Sequence, residues 1–172
     1  DRTEAHAGRG RSVSGAASQA TAAMADEPSL SPDLAEAARF LRALDPEAES
    51  FTFQTFDDDA NRKDPRLACV LHGTLDQHAE ALARLNASGA GVHVTVNATD
   101  GKGRRTENIL RIRAVFCDLD GAPLDPVLRC ALAPHIAVET SPGRWHAYWL
   151  ADGLALDAFE GVQRAIAARF GG

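Results

Sequence analysis

Between Phe51 and Leu150 the hydrophobic period changes repeatedly, and this alternation restricts the fold more than any other feature of the chain. "FTFQTF" (51–56) sets aromatics against Thr and Gln at a period of two, as a strand does. "TLDQHAEALARLNASG" then places Leu75, Ala79, Leu82 and Leu85 on one helical face, with Gly89 as its stop. "GVHVTVNATD" (91–100) alternates valines against His93, Thr95 and Asn97, the pattern of a half-buried strand. The second half of "ENILRIRAVFCDLD" is an apolar strand, and "HIAVET" and "RWHAYWL" are two more around Ser141-Pro142-Gly143. Ser31-Pro32 predicts an N-cap and first helical position, with Leu34, Ala38, Leu41 and Leu44 recurring to about Asp45. Asp125-Pro126 opens a short helix, and a last one carries Leu156, Phe159, Val162 and Ile166 inward and stops at Gly171. Interleaving of this kind, without internal repeats, implies an α+β or α/β domain.

The chain has 172 residues, enough for one core of ordinary size. Its 45% apolar and 24% charged content is globular. No apolar run approaches the roughly 20 residues of a membrane-spanning helix, and none resembles a signal-peptide core. Cys69, Cys117 and Cys130 are odd in number and show no CxxC spacing, so reduced thiols in a cytoplasm are the expectation. A net charge of -6 leaves no general basic footprint, and any nucleic-acid contact must come from a local patch. Residues 1–30, rich in Ala, Gly and Ser without sustained periodicity, read as a flexible leader ahead of a single domain over 31–172.

"VFCDLDGAP" (115–123) carries the chemistry. In an extended strand residues i and i+2 face the same way, so Asp118 and Asp120 project together while Cys117 and Leu119 point to the other face. Carboxylates about 6 to 7 Å apart repel unless a cation lies between them, and hard oxygen donors suit Mg²⁺ or Mn²⁺. A strand-end turn explains the same four residues without any chemistry. A phosphatase of the haloacid-dehalogenase type would use Asp118 as nucleophile and Asp120 as acid/base. It also needs a lysine farther along, and the 52 residues after Asp120 contain none.

A second stretch, "VETSPGRWHAYWL" (138–150), leads a Ser-Pro-Gly turn into a strand. Alternation sets Arg144, His146 and Tyr148 on one face and Trp145, Ala147 and Trp149 on the other. An Arg and a His at a strand mouth beside a metal-holding pair make a cradle for a triphosphate. A packed hairpin with an incidental histidine is the alternative. The turn "GKGRR", with Lys102, Arg104 and Arg105, offers charge to a nucleic-acid backbone, with Arg111 and Arg113 as additions; an ordinary solvated hairpin is the alternative. His72, His78 and His93 are scattered singly and read as surface or core positions, with Thr95 and Asn97 as weaker candidates for the site.

Together, "AVFCDLDGAPLD" and "ETSPGRWHAYWL" resemble the archaeo-eukaryotic primase superfamily, closest to its RepB-like plasmid and prophage branch. The resemblance runs from about Phe51 to Gly172. It implies an α+β fold with an RRM-like mixed sheet and flanking helices. It implies synthesis of short primers on a single-stranded DNA template from nucleoside triphosphates, by two-metal catalysis with Mg²⁺ or Mn²⁺. Asp118 and Asp120 would then be the catalytic metal ligands. Ser141, Gly143, Arg144 and His146 would bind the nucleotide, His146 through its phosphates. Lys102, Arg104 and Arg105 would meet the template, and a replicative helicase is the further partner in such systems. Two departures stand out. Arg144 occupies a position where many members carry a small residue, and the family's third motif, an acidic residue beyond the helix after motif two, has no counterpart. The resemblance thus implies a domain incomplete at its C-terminal end, or a non-catalytic remnant that keeps nucleotide or single-strand binding.

Overall fold

A computed structural model describes residues 32–171, and Pro32–Gly172 forms one compact unit. The expected leader and Ser31 lie outside the described residues. The fold is α+β: four helices and eight strands among the described residues, every strand pair antiparallel.

Helix α1 (Leu34–Leu44) begins at Asp33, whose carboxylate accepts the Glu36 N–H at 3.0 Å; the cap is Asp33 rather than Ser31. Leu41 and Leu44 are buried, whereas Leu34 stays exposed. Strand β1 (Phe51–Asp57) pairs with β2 (Cys69–Gly73) on one side and β3 (Ala90–Val94) on the other. The β2 strand has no sequence expectation behind it, because "CVLHG" is short and does not alternate. Helix α2 (Leu75–Ala87) starts in a capping box between Thr74 and Gln77 and buries Leu82.

The strand expected over 91–100 is broken. It ends at Val94, and a separate short strand β4 (Ala98–Thr99) pairs with β5 (Ile109–Arg111). Asn97 causes the division. Its side chain is buried, and its Oδ1 accepts the backbone N–H of Arg113 at 2.9 Å and of Ala114 at 3.3 Å. Chain that bends to make those bonds cannot also continue a ladder. The same contact separates β5 from β6 (Ala114–Leu119), so residues 108–120 are not one strand.

Arg111 and Arg113 turn to an acidic partner within the fold. Both bind one carboxylate oxygen of buried Asp45, Arg111 at 2.5 Å and Arg113 through Nε at 2.6 Å. Arg113 also donates to the Ser50 carbonyl and lies 4.6 Å over the Phe51 ring. Burial opposes ionisation of Asp45, but the two arginines overcome it and hold the carboxyl below its usual range.

Strand β6 pairs with β8 (Arg144–Leu150), which pairs with β7 (Ile136–Ser141), giving the order β6-β8-β7. Where the resemblance implies a mixed sheet, the described strands form three small antiparallel sheets. Between β7 and β8 the turn is Pro142-Gly143, with Gly143 at φ +76°, a conformation costly for any residue with a Cβ.

One face of this third sheet carries Val115, Cys117, Leu119, Trp145, Ala147 and Trp149, packed under α3 (Asp125–Leu128) and α4 (Leu156–Phe170). Phe159, Val162 and Ile166 cover it as expected, while Leu156 is 51% exposed. The free edge of β6 is closed by α4: Gln163 accepts the Phe116 N–H at 2.8 Å and donates to its carbonyl at 3.0 Å. A side-chain amide here takes the place of a neighbouring strand. The other face belongs to a second cluster with α1, β1 and α2, in which Tyr148 meets Phe40 edge-on at 5.3 Å.

Candidate active site

Alternation along β6 and β8 sends their odd and even residues to opposite faces. Cys117 and Leu119 are buried beneath α3 and α4, and Asp118 and Asp120 emerge on the other side with their side chains 61% and 67% exposed. The β6–β8 register sets Asp118 directly opposite His146, and Val138 of β7 continues the row. His146 Nε2 lies 3.2 Å from Asp118 Oδ1. Its Nδ1 lies 3.3 Å from the Tyr148 hydroxyl, two residues along the same face. Burial, with the nearby Asp118 charge adding to it, pushes the Tyr148 phenol up to about 12. Tyr148 is therefore a proton donor at any ordinary pH. The protonated Tyr148 hydroxyl thus lies beside Nδ1, while Nε2 faces the Asp118 carboxylate.

At the strand mouth Arg144 reaches Asp120, at 2.8 Å. The two carboxylates thus each have a basic side chain as neighbour. Both pairs border a cleft of about 1150 Å³. That volume accommodates a nucleotide-sized ligand.

Of the residues expected at the site, Asp118, Asp120, Ser141, Arg144 and His146 all line the cleft. Gly143 does not; it forms the hairpin turn, and its N–H is committed to the Glu139 carboxylate at 3.0 Å. The basic turn divides. Arg104 lines the cleft, whereas Lys102 and Arg105 do not, and Arg105 lies 3.9 Å from Glu107. Thr95 and Asn97 also border the cleft, with Asn97 committed to the backbone as described.

Two lining residues escaped sequence reasoning as a pair. Gln54 and His93 are directly opposite on β1 and β3 and so share a sheet face. His93 stands alone in the sequence because its partner is 39 positions away, and only the register joins them. Partial burial holds the His93 imidazole below its ordinary range; Asp58 pulls it up, and the nearby positive form of His146 pushes it down. His72 and His78 are structural: His72 Nδ1 is 2.9 Å from the Thr52 hydroxyl, and His78 Nε2 is 2.9 Å from the His72 carbonyl oxygen.

Among the described residues no group of three or more His, Cys, Asp or Glu gathers as a metal site, and no helix is long and apolar enough to cross a membrane. In comparisons with known proteins the chain matches no family model, no curated protein and no solved structure at a significant level.

Proposed function

We propose that this cleft binds a nucleoside triphosphate and belongs to a primase-type nucleotidyltransferase, cytoplasmic, acting on single-stranded DNA in plasmid or phage replication. The observation that carries the reading is the cross-strand pairing of Asp118 with His146, with Asp120 and Arg144 beside it, on one wall of a roomy cleft. That this α+β domain is a variant of the primase-like fold is part of the same proposal, as is a replicative helicase as partner.

The donor set fits a Mg²⁺ or Mn²⁺ ion. Such an ion is held by one or two carboxylates, and substrate phosphates and water complete its octahedron. Asp118 and Asp120 supply hard oxygens of that kind. When bound, the metal neutralises phosphate charge and activates the attacking hydroxyl. Arg144 and His146, on adjacent strand positions of one face, donate to the phosphates. The Tyr148 hydroxyl beside Nδ1 orients the His146 ring. Arg104 adds positive charge to the cleft wall, and Lys102 and Arg105 on the exposed turn meet a single-strand backbone.

The test is a titration of the folded chain with a nucleoside triphosphate in Mn²⁺. Saturable, metal-dependent binding is expected, abolished in Asp118→Asn/Asp120→Asn and in His146→Ala. Absence of binding by the wild-type protein, or binding unchanged in both variants, overturns the reading.

A further inference from the structure

The cleft has a second wall that the phosphate chemistry leaves unused. On the β1–β3 sheet His93 lies flat on Phe56, ring centroids 4.3 Å apart and planes within 14°. Gly91 makes this possible. It stands opposite Phe56 in the β1–β3 register, so no side chain covers that ring from β3. A Cβ at Gly91 would sit only 3.0 Å from His93 Nε2 and 3.2 Å from an Asp58 oxygen. The imidazole therefore occupies space that only glycine leaves open. His93 and Phe56 are nonetheless exposed, Phe56 at 39%. Gln54, directly across from His93, lines the same cleft on the same sheet face. That amide carries two donors and an acceptor with two lone pairs.

A supported aromatic ring with one free face, beside an amide that can both donate and accept, is a surface chemically matched to a nucleobase. We propose that His93, resting on Phe56, stacks on a nucleobase and that Gln54 hydrogen-bonds its edge, while Asp118, Arg144 and His146 hold phosphate on the other wall. The assignment rests on the nucleotide reading above for its phosphate end only. The base belongs either to the incoming nucleoside triphosphate or to a single strand in the cleft. Stacking is tolerant of base identity, so Gln54 carries whatever base preference the wall has.

Binding to the full chain in Mn²⁺ is measured with three probes: dATP, inorganic triphosphate and a short oligothymidylate. His93→Ala should weaken dATP or the oligonucleotide about ten-fold and leave inorganic triphosphate unchanged. His93→Phe, which keeps a stacking ring, should restore most of that loss. The probe that suffers identifies the source of the base. A wild-type chain that binds dATP no better than inorganic triphosphate, with oligothymidylate binding unmoved by His93→Ala, overturns the stacking wall and leaves the phosphate site standing. So does an equal loss for all three probes in His93→Ala. Loss in His93→Ala with full binding in Asp118→Asn/Asp120→Asn keeps the wall and removes the primase reading. A wild-type chain that binds none of the probes removes both.

Discussion

Two clusters of the same residue types sit in this molecule under opposite conditions. At Asp45, two arginines converge on one carboxylate, and the Asp45 and Arg113 side chains are only 6% and 5% exposed. In the cleft, Asp120 and Arg144 meet at a similar distance with side chains 67% and 61% exposed. Water screens the second pair and hardly touches the first. The buried knot therefore cannot exchange partners without leaving an uncompensated charge, whereas the open pair can separate when a phosphate or metal offers a better arrangement. Burial separates charges that hold the fold from charges free to meet a ligand.

The largest effect should come from breaking the knot. Arg113→Ala leaves Asp45 with only the half-exposed Arg111 as partner and should cost about 1.5–3 kcal/mol in a urea unfolding curve, as for loss of a charge-assisted hydrogen bond. A loss under about 1 kcal/mol would show that water reaches the pair and would erase the contrast. Acid should expose the same cluster more gently. The folded-state pKa of Asp45 is lowered, so its contribution is present above the ordinary carboxylate value, near 3.9, and is lost as pH falls through the lower folded value. Stability followed by circular dichroism should thus fall below about pH 4, and Asp45→Asn, already weakened, should show a shallower decline.

Gln163→Ala tests a neutral version of buried pairing. It removes both hydrogen bonds that close the β6 edge and should cost about 1–2 kcal/mol, read by thermal or urea melting. Smallest in stability is Arg144→Ala, expected within about 1 kcal/mol of wild type. Its nucleoside triphosphate affinity should nevertheless drop about ten-fold, as for loss of a charge-assisted hydrogen bond. A large stability loss with unchanged binding would assign Arg144 to the fold and reverse the comparison.

Much of the cleft's first wall was legible because it depends on local rules. A period of two along "AVFCDLD" and "RWHAYWL" is enough to separate Asp118 and Asp120 from Cys117 and Leu119, and Arg144, His146 and Tyr148 from the tryptophans. The Pro-Gly turn and the helix faces of α2 and α4 follow from similarly short-range patterns. What failed was long-range. Strand β2 lacks the alternation that would mark it, and the 91–100 strand breaks because Asn97 bonds to backbone 16 and 17 residues ahead. Leu156 lies at the start of α4, where the apolar stripe runs past the core and out to the cleft rim.

By itself, then, the sequence determined the alternating strand faces, the glycine stop of α4 and the shared direction of the two aspartates, since each is set by sterics within a few residues. Only tertiary structure decided which charges are buried together and which remain open. It also decided that His93 stands near His146, and that Gln54 stands beside His93. The physical reason is that solvation and strand register depend on chain segments far apart in sequence, and a charge acquires its role from the water that is left around it.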